Sequence, residues 1–230
     1  LQAFFGARVK HQTLNREWTD LSARLAGRFF LPIAALSLQL QGDLDLLLRS
    51  LEEEYQPPTF PEVSDSSDLG FISHYQKMLS EQWIAGVYEV LRAFRQRDRE
   101  AKKRNTELSG LSDDETFASI LSDLELLRMP IAKYEIARDS KLEQPLLLAA
   151  YPANGDATDN YVYDGNDPTR SHIMQAGISG RGSFTWLALD HLDSSQRWIE
   201  RRELSDRLLV FGKSVVPAGV LESQRTTITS

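Results

Sequence analysis

The chain has 230 residues, 41% of them apolar and 26% charged, which is close to the soluble globular average and excludes both a disordered and a fibrous chain. It contains no cysteine, so disulfides, thiol nucleophiles and thiolate metal sites are excluded, and a reducing, cytoplasmic setting is the expectation. A formal net charge of -7 argues against a whole-molecule polyanion binder, although it leaves room for a local basic patch.

In chain order, "TLNREWTDLSARLAGRFF" sets Leu14, Trp18, Leu21 and Leu25 at three- and four-residue steps and predicts a helix over about 13–27. The run "FFLPIAALSLQL" at 29–40 falls short of the roughly 20 apolar residues a membrane span needs, so no span is expected. No secretory leader is legible, and because the chain opens on Leu1 rather than Met, any targeting segment ahead of it lies outside these residues. Leu36, Leu38 and Leu40 alternate like a strand, whereas Leu44, Leu47, Leu48, Leu51 and Tyr55 step like a helix; Gly42 followed by Asp43 supplies a break and an N-cap, so a second helix is expected from there.

The prolines and the Ser/Asp cluster of "QPPTFPEVSDSSD" mark 56–70 as a linker. Beyond it, Ile72, Tyr75, Leu79, Trp83, Val87, Val90, Leu91 and Phe94 form a stripe that carries a helix to about Arg104. "SDDE" at 112–115 has the spacing of a capping box on Ser112 and Glu115, opening a helix whose buried face is Phe117, Ile120, Leu121, Leu124 and Leu127. Pro130 is expected to kink or restart it, with a short helix running on to about Arg138. From 145 onward, short apolar runs separated by Asn/Asp/Gly-rich stretches suggest a small antiparallel sheet, and helical spacing returns at Leu204, Leu208 and Phe211. The expected class is therefore α+β and predominantly helical. It comprises an N-terminal helical segment (1–55), a linker (56–70), a helical body (71–144) and a small α+β portion (145–230) sharing a core with the helices.

Chemical motifs thin out on inspection. In "GISGRGSFTWLALDH", Gly177 and Gly182 have the separation of the glycines of a phosphate loop. The positions that should hold lysine and Ser/Thr carry Ser183 and Phe184, however, and the segment that should be a helix is strand-like, so a hairpin turn is expected. Ser179, Asp190 and His191 do not make a hydrolase triad: Arg181 replaces the second glycine of a nucleophile elbow, and sequence neighbours in a strand point to opposite faces. Counting from Asp156, a calcium-type loop would draw ligands from Asp156, Asn160, Asp164 and Asp167. The turn position is Tyr161 instead of glycine, so a solvated loop is preferred over a divalent-cation site, and no cofactor is expected. The histidines 11, 74, 172 and 191 show no metal-binding spacing.

"RAFRQRDREAKKR" at 92–104 carries a local charge of +5 through Arg92, Arg95, Arg99, Lys102, Lys103, Arg104 and their neighbours. At a helix C-terminus such cations match the dipole, and the functional alternative is a patch for nucleic acid or an acidic partner. With helices well specified and no catalytic constellation intact, the leading expectation is a non-catalytic protein-interaction or regulatory module of an intracellular assembly, engaging a protein partner or a second copy. The alternatives are a phosphodiester-directed hydrolase, with Asp156, Asp159, Asp164, Asp167, Asp190 or His191 converging in one pocket, and a nucleic-acid binder using the basic helix end.

Overall fold

The computed structural model describes residues 2–29, 31–54, 66–104, 110–149 and 160–215. Its elements in order are α1 (Gln2–Lys10), α2 (Gln12–Phe29), α3 (Pro32–Glu54), α4 (Ser66–Lys103), α5 (Glu115–Lys133), a 3-10 turn (Asp139–Lys141), β1 (Leu146–Ala149), β2 (Asn160–Tyr163), β3 (Ala176–Ile178), β4 (Phe184–Asp190), β5 (Ser195–Glu200) and α6 (Arg201–Ser214). The class is the expected one: mostly helical, with two small antiparallel sheets and a final helix near the C-terminus.

The buried stripe of α2 is Trp18, Leu21 and Leu25, and it extends to Phe29. α3 departs from expectation, running unbroken from Pro32 through Gly42, where a break was predicted. Gly42 is there for packing: a Cβ on it would stand 2.6 Å from the Trp18 ring, so only glycine lets α2 and α3 come this close. α1 lies within the expected helical segment 1–55 but ahead of the first helix expected, at about 13–27, and its apolar residues, which bury only Ala7, give no stripe to mark it. Along α4, Trp83, Val87, Val90, Leu91 and Phe94 are buried as predicted, but Tyr75 is exposed, and Gln76 and Ser80 occupy the interior in its place.

The start of α5 is also corrected. Its N-cap is Asp114, whose Oδ1 accepts from the Phe117 amide at 2.9 Å, while the Ser112 amide donates to Asp98 at 2.8 Å. Pro130 lies inside α5 without restarting it; the helix ends at Lys133, and Tyr134 caps it in the left-handed region with its amide bonded to the Pro130 carbonyl. A proline so near the end removes one helical bond and leaves the rest intact.

β1 pairs with β2, and β4 lies between β3 and β5. β2 and β5 replace what read as loop and undetermined sequence. Phe184, Trp186, Ala188 and Asp190 are the buried positions of β4, and one hydrophobic core joins the first three to residues of α2–α6. A smaller cluster of Ile136, Leu148 and Tyr163 seats β1–β2. The β3–β4 connection is the expected turn, with the Ser179 amide bonded to the Ser183 carbonyl at 2.8 Å and Gly182 at φ 76°.

Candidate interaction face

α1 lies across α3, pinned by Arg8 to Asp43 at 2.7 and 2.6 Å and by Lys10 to Glu53 at 2.9 Å. Between the two helices is a groove of about 670 Å³ lined by Phe4, Phe5, Leu40 and Leu44, with the Arg8–Asp43 pair at its border. The apolar surface continues along α3: Ile33 (80% exposed), Leu36 (63%) and Leu40 (57%) recur at steps of three and four, and Phe5 is 71% exposed. The sequence from 29 to 42 holds no charged residue, so this stripe has no ionic group along its length. A contiguous apolar surface of this kind is informative where a scattered leucine is not.

The opposite side of α3 is polar and dry. Asp45, Arg49 and Glu52 are buried, facing Arg201 and Ser205 of α6, both wholly buried. Arg201 pairs with Asp45 and, at 2.6 Å, with Glu52, and its guanidinium sits 5.5 Å from the Trp83 ring centroid. Asp45 also accepts from Trp18 Nε1 and Arg49 Nε, both at 2.9 Å, and Arg49 reaches Ser205 and Asp206. Burial pushes the Asp45 carboxyl up, but the charges of Arg201 and Arg49 and the Trp18 hydrogen bond outweigh it and hold the pKa below the usual value. This network joins α2 and α3 to α6; Asp45 and Glu52 Oε1 are held by arginines, while Glu52 Oε2 accepts no hydrogen bond and faces Arg202 at 3.7 Å.

The residues singled out from sequence scatter over the molecule. Asp156 and Asp159 lie outside the described residues. Asn160 opens β2, Asp164 Oδ1 accepts from the Asn166 amide, and Asp167 Oδ1 accepts from the amide and hydroxyl of Thr169, bonds that hold the Asp167 carboxyl below its ordinary pKa. No group of three or more potential metal-ligating residues occurs among the described residues. Asp190 is buried with its carboxylate 3.7 Å from the Arg138 guanidinium, while His191 Nε2 contacts the Arg138 backbone carbonyl, so the two side chains meet different groups of one residue and not each other. His172 Nδ1 meets the Tyr161 hydroxyl at 2.7 Å, and burial lowers its pKa.

At the end of α4, Arg92, Lys102, Lys103 and Arg104 are exposed, with Arg92 on Glu89 and Lys102 on Asp113; Arg95 is half-buried and Arg99 exposed. The arginines towards the C-terminus are spent internally: Arg197 and Arg207 both clamp Asp123 at 2.6 Å, and Arg201 is in the core. No helix among the described residues is long and apolar enough to cross a membrane. The α1–α3 face is what sequence reasoning missed: its signal is an uncharged run with the steps 33, 36 and 40, in which Leu36, Leu38 and Leu40 also alternate like a strand. Compared with protein-family models, with curated proteins and with solved structures, the chain matches none.

Proposed function

We propose that the chain is a non-catalytic interaction module whose α1–α3 face receives an amphipathic helix of a partner protein. The observation that carries this reading is the row Ile33, Leu36 and Leu40, exposed on one side of α3 and continuous with the groove under Phe4 and Phe5. A helix docking in a groove is read through apolar anchors at these spacings. Because 29–42 is uncharged, the matching partner stripe is apolar at its centre, with charges only where it would pass Arg8 and Asp43. The buried ion network supports the same reading, since it stiffens α3 from behind and so presents the face preformed.

The test uses the full chain in its native cells, with a photo-crosslinking residue at Leu36 and, as a control of matched exposure, at Val210 on α6. The expected result is a discrete set of adducts from position 36 that Leu40→Glu abolishes while the melting temperature stays within about 2 °C, as for an exposed substitution. Identical adducts from both positions, or adducts indifferent to Leu40→Glu, would overturn the proposal.

A further inference from the structure

The outer face of the three-stranded sheet, away from the helices, is divided in two. Thr185, Leu187 and Leu189 of β4 point outward, opposite Glu200, Trp198 and Gln196 of β5. β1 covers one half: Leu148 and Ala149 face Leu187, Leu189 and Gln196 across a cleft of about 70 Å³. The other half is an open groove of about 500 Å³ lined by Gly177, Ser179, Thr185, Trp198, Glu200 and Glu203.

Each part of this groove has a definite chemistry. Trp198 is 49% exposed, so much of its indole is open to a stacking group. Gly177 lies beside it, where a Cβ would touch the ring at 4.0 Å, so the glycine keeps that side of the indole clear. Glu200 is already paired with the Arg181 guanidinium and accepts from the Ser179 hydroxyl, both at 2.9 Å. Glu203, in the first turn of α6, is exposed and makes no hydrogen bond or ion pair with a described residue.

We infer that this groove binds an arginine side chain from a basic segment of a partner protein, with the guanidinium stacked on Trp198 and forked onto the Glu203 carboxylate. An indole face with an adjacent carboxylate is selective for a planar cation, and the planar guanidinium satisfies both groups where a lysine ammonium satisfies them less well. The chain solves the same problem internally, where Arg201 lies over Trp83 while pairing with Asp45 and Glu52. The net charge of -7 favours the approach of a cationic segment. The site is separate from the α1–α3 face and stands or falls without it.

The experiment titrates the full chain, labelled with nitrogen-15 in its indoles, with a capped peptide of four Gly-Arg repeats and with the same peptide carrying uncharged citrulline for arginine. The Trp198 signal should shift saturably with the arginine peptide alone. Those of Trp18, Trp83 and Trp186, all buried, should stay in place. Trp198→Ala and Glu203→Gln should each weaken binding about fivefold or more, the second without touching the packed sheet, and added salt should weaken it further. Equal binding of the citrulline peptide, an unmoved Trp198 signal, or unchanged affinity in Glu203→Gln would overturn the inference. The last of these would mark the attraction as diffuse charge alone.

Discussion

Replacing Arg201 by methionine isolates the contribution of the ion network. The side chain is wholly buried and is the partner shared by Asp45 and Glu52, themselves 0% and 2% exposed. Asp45 would keep Arg49 and the Trp18 indole, each at 2.9 Å, whereas Glu52 would keep only Arg202 at 3.7 Å. Most of the loss should therefore come from an uncompensated carboxylate at Glu52. Breaking a buried pair in this way costs about 3–5 kcal/mol, which for a chain of this size lowers the melting temperature by roughly 6–20 °C. Urea unfolding at pH 7, followed by far-ultraviolet circular dichroism and tryptophan emission, measures it directly. Arg201→Met combined with Glu52→Gln should recover about 1–2 kcal/mol of the loss, because the stranded charge is gone. A single variant within about 1 kcal/mol of wild type, or a double variant no more stable than the single, would refute the reasoning.

Acid should act on the same network. Because the folded pKa of Asp45 is held below its unfolded value by Arg201 and Arg49 against the opposing effect of burial, its contribution is complete above pH of about 4 and is lost as pH falls through the folded value; Asp45→Asn should show a shallower acid limb in a stability-versus-pH series. His172 behaves oppositely in origin: burial lowers its folded pKa, so the neutral ring favours folding above pH of about 6.5, and that contribution declines as pH falls below it. His172→Gln should therefore reduce the drop in melting temperature between pH 7.5 and 5.5, leaving the part due to His11, which burial shifts in the same direction. At the β3–β4 turn, Gly182→Val should cost about 1–2 kcal/mol because φ is 76°, while Gly180→Val, with open space around its Cβ, should be nearly neutral in the same urea assay.

Local signals were legible where a residue's role is local. Trp18, Leu21 and Leu25 face one way because of their spacing, and the turn at Gly182 follows from missing phosphate-loop chemistry and a strand-like continuation. Roles set by distant partners were illegible. Gly42 reads as a breaker until Trp18 is seen against it, and nothing near Asp45 or Glu52 in the sequence announces their burial, because their shared arginine is more than 140 residues away. "SQRWIE" has too many polar residues to announce β5, and its pairing with β4 supplies what its own sequence lacks. Of the candidate sites, the open sheet face was hidden for the same reason, and the α1–α3 face because a helical stripe and a strand alternation share the positions 36 and 40.

Arg201 also fixes an order of events as the chain is made. It follows directly on β5 and emerges from synthesis only after every other member of the central cluster except Arg202, Ser205 and Asp206. Until then Asp45 and Glu52 have only Arg49 as a buried cation within α3, so closing α3 onto α4 would strand negative charge in an apolar interior. Closure of α3 onto α4 is therefore expected to depend on α6, through a contact between segments far apart in the sequence. A fragment ending before residue 201 should remain loosely packed at neutral pH, and the chain carrying α6 should fold slowly for a mostly helical protein, since its deciding contact spans 156 residues.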